Sequence, residues 1–119
     1  MKRIEILSRY LWIISEAETL IFQADKLAGF NKHKIYDPDT EEIRQYNGYI
    51  QSLRDKARDL LTVCKQFEGI IDSLDNDQER MICRKYYGCG FTDEEIGSQM
   101  NMHQSTVCRI RKKALTRLS

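Results

Sequence analysis

No apolar run in this sequence approaches the roughly 18 residues needed to span a bilayer, which argues against a membrane helix. The opening Met-Lys-Arg is followed within a few positions by polar residues. IEILSRYLWIISEAE therefore lacks a signal-peptide core and cleavage site, and a cytoplasmic protein is expected. There is no glycine-rich phosphate loop among the six glycines, and no motif pairing Ser, His and Asp or Cys and His. The scattered carboxylates fall mostly at helix starts, where capping and the helix dipole explain them. His33 reads as a solvated loop side chain rather than a base. An enzyme is not expected, and no cofactor is implied.

Four cysteines are present, Cys64, Cys83, Cys89 and Cys108. Without an export signal they are expected as reduced thiols. Cys83, Cys89, His103 and Cys108 are zinc-ligand types, but their spacing lacks a short C-x2-4-C chelating pair, so no metal site is assigned. Cys64 and Cys83 fit apolar helix faces as small hydrophobes. The last deficit is the most informative. Residues 103–119 contain five Lys/Arg and no acid, whereas residues 1–74 hold eleven Lys/Arg against twelve Asp/Glu. In a chain of net charge +1, such a basic end is a local electrostatic footprint.

What is present is helical periodicity. From Ile43 to Leu74 the apolar positions Ile43, Tyr46, Ile50, Leu53, Ala57, Leu60, Cys64, Phe67, Ile71 and Leu74 alternate spacings of three and four. Asp37-Pro38 supplies an N-cap and a first helical residue for this helix. Gly48 and Gly69 fall outside the seam. Ile6, Tyr10, Ile13, Ala17, Leu20, Ala24 and Leu27 form an earlier seam flanked by Leu7, Ile14, Ile21 and Ala28, with Gly29 as its expected C-cap. Two helices joined by a short loop most simply make an antiparallel, coiled-coil-like hairpin over residues 1–73, expected to serve oligomerisation. Trp12, Phe22, Tyr49, Leu61, Val63 and Ile70 widen the apolar stripes and require a further partner: either the C-terminal module or a second copy, with a homodimer favoured.

Residues 74–119 read as three more helices. Asp75 to Gln78 fits a capping box opening ERMICRKYYG, with Met81, Ile82 and Tyr86 inward and an end at Gly88 or Gly90. Thr92 to Glu95 is a second capping box, with Phe91 and Ile96 as its hydrophobic staple. Gly97 suits a close approach by a neighbouring helix. Asn101 tolerates a left-handed turn, Met102 plugs the gap, and His103 stands at the N-cap of the last helix. Val107, Ile110, Ala114 and Leu118 line its inner face. Gln104, Ser105, Thr106, Cys108, Arg109, Arg111, Lys112, Lys113 and Arg117 are expected outward.

That outer set has the chemistry DNA reading requires. Arg109 can contact guanine O6/N7 in bidentate fashion, and Gln104 adenine N6/N7. Ser105 and Thr106 suit base-edge and phosphate contacts near a helix start. Lys112, Lys113 and Arg117 suit phosphates. The DNA-binding set is therefore Gln104, Ser105, Thr106, Cys108, Arg109, Lys112, Lys113 and Arg117, on double-stranded DNA.

Residues Leu74 to Leu118 resemble region 4 of bacterial sigma-70 factors. The matching residues are Leu74, Arg80 and Tyr86-Tyr87, then Phe91-Thr92 with Glu95-Ile96-Gly97. They continue through Ser105-Thr106-Val107, Arg109-Ile110, Ala114-Leu115 and Leu118. Gly97 stands where the family usually has Ala, and His103 where Ser or Thr is commoner. The first 74 residues do not resemble a promoter-melting segment, since they lack an aromatic-rich basic helix. A long hairpin with such a module is similar to small phage and prophage regulators of the RinA and ArpU type. The resemblance implies a transcription regulator of late phage genes, with RNA polymerase as a further partner. Two other functions fit the pattern: an adaptor docking on polymerase or another protein, and a phage DNA-packaging subunit.

Overall fold

The computed structural model describes residues 1–32 and 41–118. It is all-α: two long N-terminal helices are followed by a helical C-terminal module. α1 spans Arg3–Lys32, α2 Glu41–Asp72, α3 Asp77–Cys83, α4 Asp93–Met100 and α5 Gln104–Leu118. α3 continues into a π-helical turn, Arg84–Gly88. The expected Asp37-Pro38 start of α2 and the solvated His33 lie outside the described residues. Gly29 is not a C-cap, because α1 runs on to Lys32. One interior glycine costs a helix only about 1 kcal/mol, too little to stop a helix that packs through Leu27 and Ala28 just before it.

The chain packs as two compact units. One comprises Met1–Trp12 and Val63–Ser119, the other Ile13–Thr62. In the second unit Ala24 of α1 is buried against Ile50 and Leu53 of α2, with Leu20, Leu27, Ala28 and Tyr46 around them. All but the flanking Ala28 are seam residues of the two helices, so the three-four spacing does select the contact face. Tyr46 donates its hydroxyl to the Leu27 carbonyl at 3.1 Å, and Arg54 meets Asp25 at 3.4 Å. Rising numbers in α1 meet falling numbers in α2, so this pairing is antiparallel. Phe22 and Tyr49 of this unit are exposed.

The first unit is built differently. Ile6 and Leu7 of α1 and Phe67, Ile70 and Ile71 of α2 share a core with Leu74, Cys83, Tyr87, Ala114 and Leu118. Tyr10 stacks on Phe67, ring centroids 4.0 Å apart. Val63 and Ile70, which widened the stripes beyond a simple hairpin seam, and Leu7, which flanks the first seam, are thus absorbed here in a core shared with the C-terminal helices. Trp12 remains 68% exposed.

α2 ends where Leu74 N–H turns back to the Ile71 carbonyl at 3.1 Å. Arg80 then covers the Leu74 carbonyl at 2.6 Å. The α3 cap is one residue later than the sequence suggested. Asn76, not Asp75, is the N-cap, and its side chain accepts the Glu79 N–H at 2.8 Å. Residue N3 is therefore Glu79, whose carboxylate serves another purpose described below. Ile82 is inward and Tyr86 half-buried, but Met81 is exposed, and Cys83 and Tyr87 take the core instead. The widened π-turn re-aims the side chains that follow it relative to a plain 3.6 period. Burial raises the Cys83 thiol to about 11, with the nearby Glu79 charge adding to the effect.

Candidate nucleic-acid interface

α4 and α5 form the helix-turn-helix, over a core of Ile82, Ile96 and Val107 packed by Tyr86, Phe91, Met100, Met102 and Ile110. The start of α4 is a complete capping box. Thr92 Oγ1 accepts the Glu95 N–H at 3.2 Å, and Glu95 Oε1 accepts the Thr92 N–H at 3.1 Å. Its end is Asn101, left-handed at φ 54°, ψ 46°. Side-chain amides relieve the cost of that region better than most residues. Met102 N–H then bonds the Gly97 carbonyl at 2.9 Å.

Gly97 is required here, though by the turn rather than by a crossing helix. A Cβ at Gly97 would lie 2.5 Å from the Met102 carbonyl oxygen and 3.4 Å from the Gln104 nitrogen. Both neighbours are backbone, so neither can move aside cheaply. The missing side chain lets the turn fold directly onto α4 and sets the start of α5 against it. That start is capped by His103, whose Nδ1 accepts the Ser105 N–H at 3.1 Å.

α5 carries five cations, and the structure sorts them into two jobs. Arg111, expected outward, turns inward: its side chain is 11% exposed. Its Nε and Nη2 reach the two Asp93 carboxylate oxygens at 3.1 and 2.9 Å. Its guanidinium lies 3.9 Å from the centre of the Tyr86 ring, and Nη1 donates to Tyr87 Oη at 3.4 Å. The physical reason is helical phase. Residue 111 follows Val107 by four and precedes Ala114 by three, so it stands on the buried stripe. The Arg111 hydrogen bonds hold the Asp93 carboxyl below its ordinary range, against a smaller opposing effect of burial. Asp93 in turn raises the Arg111 guanidinium further above its already high value.

Arg117, expected on phosphates, is also engaged internally. Its Nη1 lies 2.5 and 2.7 Å from the Glu79 oxygens and 3.3 Å from Asp75. Glu79 is 3% exposed, so Arg117 neutralises a buried acid and ties the end of α5 to α3. Neither tie was visible as a motif. A signal did exist in the sequence: an arginine on the periodic apolar stripe, and an acid at the N3 position of α3.

Arg109, Lys112 and Lys113 remain exposed, as do Gln104 and Ser105. Thr106 and Cys108 are half-buried. Thr106 lies on the first turn, its N–H on the His103 carbonyl at 3.0 Å. Cys108 Sγ is 3.8 Å from Arg111 Nη2, which places Cys108 at the edge of the Asp93–Arg111 clamp. Ser105, Arg109 and Lys112 stand at i, i+4 and i+7, one stripe along the side of α5 opposite Val107 and Ala114. Among the described residues, no group of three or more His, Cys, Asp or Glu is placed to hold a metal ion. No helix among them is long and apolar enough to cross a membrane.

These features define a helix-turn-helix with a capped supporting helix and a second helix whose outer stripe is basic. Residues 70–119 match the family Sigma-70, region 4. The C-terminal module thus resembles sigma-70 region 4, a family of DNA-binding regulatory helix-turn-helix modules. No curated protein and no solved structure matches the chain.

Proposed function

We propose that this protein is a sequence-specific DNA-binding transcription regulator of the small phage or prophage type, an activator of late genes that acts as a homodimer. The observation that carries the reading is the outer stripe of α5. Ser105, Arg109 and Lys112 line up there, with Gln104 and Lys113 beside them, on a helix whose other two cations are tied to acids of the same module. Arg109 reads a base edge, with Gln104 and Ser105 beside it near the helix start. Lys112 and Lys113 bind phosphates, and Thr106 supports the first turn. Arg117 belongs to the frame rather than to the contact set.

The phage and late-gene assignment rests on the combination of a region 4-like module with a long helical N-terminal segment that does not resemble a promoter-melting region. Dimerisation is supported by the apolar side chains left exposed in the long-helix unit, Phe22 and Tyr49. A dimer reads two half-sites about 34–36 Å apart on the duplex.

Selection of bound sequences from a random DNA pool tests DNA reading, dimer symmetry and half-site spacing together. A palindrome is expected, and Arg109→Ala is expected to lose about 1–3 kcal/mol on it while relaxing specificity. Absence of any enriched sequence, together with a flat salt dependence, would rule out DNA reading. If instead the protein captures RNA polymerase and Gln104 or Arg109 changes are silent, it is an adaptor.

A further inference from the structure

Within the Ile13–Thr62 unit α1 presents a second face to solvent. Phe22 stands two residues from the buried Ala24, about 200° around the helix and so on its far side. Phe22 and Phe30 are 64% and 59% exposed. With Asp25, Lys26 and Gly29 they line an open groove of about 500 Å³. Phe22, Asp25, Lys26 and Gly29 stand at i, i+3, i+4 and i+7. Those are the four corners of the hole that takes a knob from a facing helix in a coiled coil. Gly29 lowers one wall of the hole. A Cβ there would meet nothing within 4 Å among the described residues, so packing inside this unit does not require glycine, a poor helix former.

We propose that this groove seats a second copy of the chain: α1 pairs antiparallel with α1 of that copy, and each Phe22 enters the other's hole. This rests on the homodimer reading above and assigns it a surface. Knob and hole lie on one face of the same helix, as a two-fold interface requires. Charge sets the direction. A parallel pair would bury Lys26 against the same lysine of the copy. The antiparallel pair instead brings each Lys26 to the other copy's Phe22, whose ring face attracts a cation. Within one chain Lys26 Nζ already lies 5.7 Å from the centre of the Phe22 ring. Asp25, at the rim, is already met by Arg54 at 3.4 Å. Thr19, whose hydroxyl turns back to the Ser15 carbonyl at 2.8 Å, then lies opposite Gly29, small against small. Two phenylalanines from each copy, at roughly 150 Å² apiece, supply about 600 Å² of the about 1,000 Å² that a specific interface needs. The dimer is therefore expected to dissociate on dilution.

Sedimentation equilibrium of the purified full chain over a range of concentrations tests this seating. The wild type is expected as a monomer–dimer mixture. Phe22→Ala, with helicity checked by circular dichroism, should weaken dimerisation about a hundredfold, since each dimer loses two buried knobs. Gly29→Leu should fill the hole and weaken it about tenfold. The same variant, diluted to the monomer, should melt at a higher temperature than the wild type, because leucine is the better helix former. Oxidation of mixed Thr19→Cys and Gly29→Cys chains, both also carrying Cys89→Ser to remove the exposed native thiol, should join unlike chains. Joining of like chains would overturn the antiparallel seating. A wild-type dimer left intact by Phe22→Ala and Gly29→Leu would overturn this surface alone. A wild type monomeric at every concentration would remove the homodimer reading and this one with it, and leave the groove to a helix of another protein.

Discussion

The Ile13–Thr62 unit and the helix-turn-helix are held together in different ways. In the former, Ala24, Ile50 and Leu53 pack on a repeating seam, and its cross-helix ion pair, Arg54–Asp25, is exposed. Exposed pairs of this kind contribute about 0–1 kcal/mol. In the helix-turn-helix, the aliphatic core is surrounded by polar ties that each fit one place. Asp93 and Arg111 are locked in a bidentate pair under Tyr86 and Tyr87, and Glu79 is buried against Arg117. A seam of similar hydrophobic residues tolerates exchange, because apolar contact is non-directional. A bidentate pair with a stacked ring tolerates little, since removing one partner leaves the other's charge desolvated.

The largest expected effect comes from breaking the clamp. Arg111→Ala should destabilise the module by about 2–4 kcal/mol, read from chemical denaturation, because Asp93 loses its partner and Tyr86 its stacked guanidinium. Arg111→Met keeps the aliphatic stem and should recover part of that loss. Equal and small losses in both variants would mean the pair contributes little.

Acid should expose the same difference between the regions more mildly. The folded Asp93 carboxyl sits below its ordinary value of 3.8. Its contribution is therefore complete above 3.8 and is lost as pH falls through the lower folded value. Denaturation midpoints followed from about pH 5 to pH 2 should decline less steeply in Asp93→Asn than in the wild type. Identical slopes would remove Asp93 as a source of acid sensitivity.

The smallest effect is expected in the seam. Leu53→Met, volume-conserving and buried in the Ile13–Thr62 unit, should shift stability by less than about 1.5 kcal/mol and leave DNA affinity unchanged. A loss as large as that of Arg111→Ala would show that the seam is as exactingly packed as the clamp.

Much of the fold was legible because its signals are local. The Thr92–Glu95 capping box, the left-handed Asn101 and the Gly97 close approach each depend on residues within a few positions of one another. The seams of α1 and α2 are equally local, being periodicities of one helix. For Arg111, charge suggests the surface while helical phase places it on the inner stripe, and the partner that decides between them, Asp93, lies 18 residues away. Met81, expected inward, is exposed for a related reason. Ile82 and Cys83 already fill the buried side of α3 and leave Met81 in solvent, and the π-turn after Cys83 brings Tyr87 into the core in a way no spacing rule announces.

The all-α class, the helix-turn-helix with its caps and turn, and the basic outer helix are written in local residue order, since they follow from backbone preference and periodicity. Which cations of α5 stand free on its outer stripe and which are tied to acids emerges with the three-dimensional packing, as does the joining of residues 1–12 and 63–72 to the module in one unit. Those outcomes depend on which side chains meet across large sequence separations. Desolvation and pairing energies are settled at that level, and one chain's local pattern does not encode them.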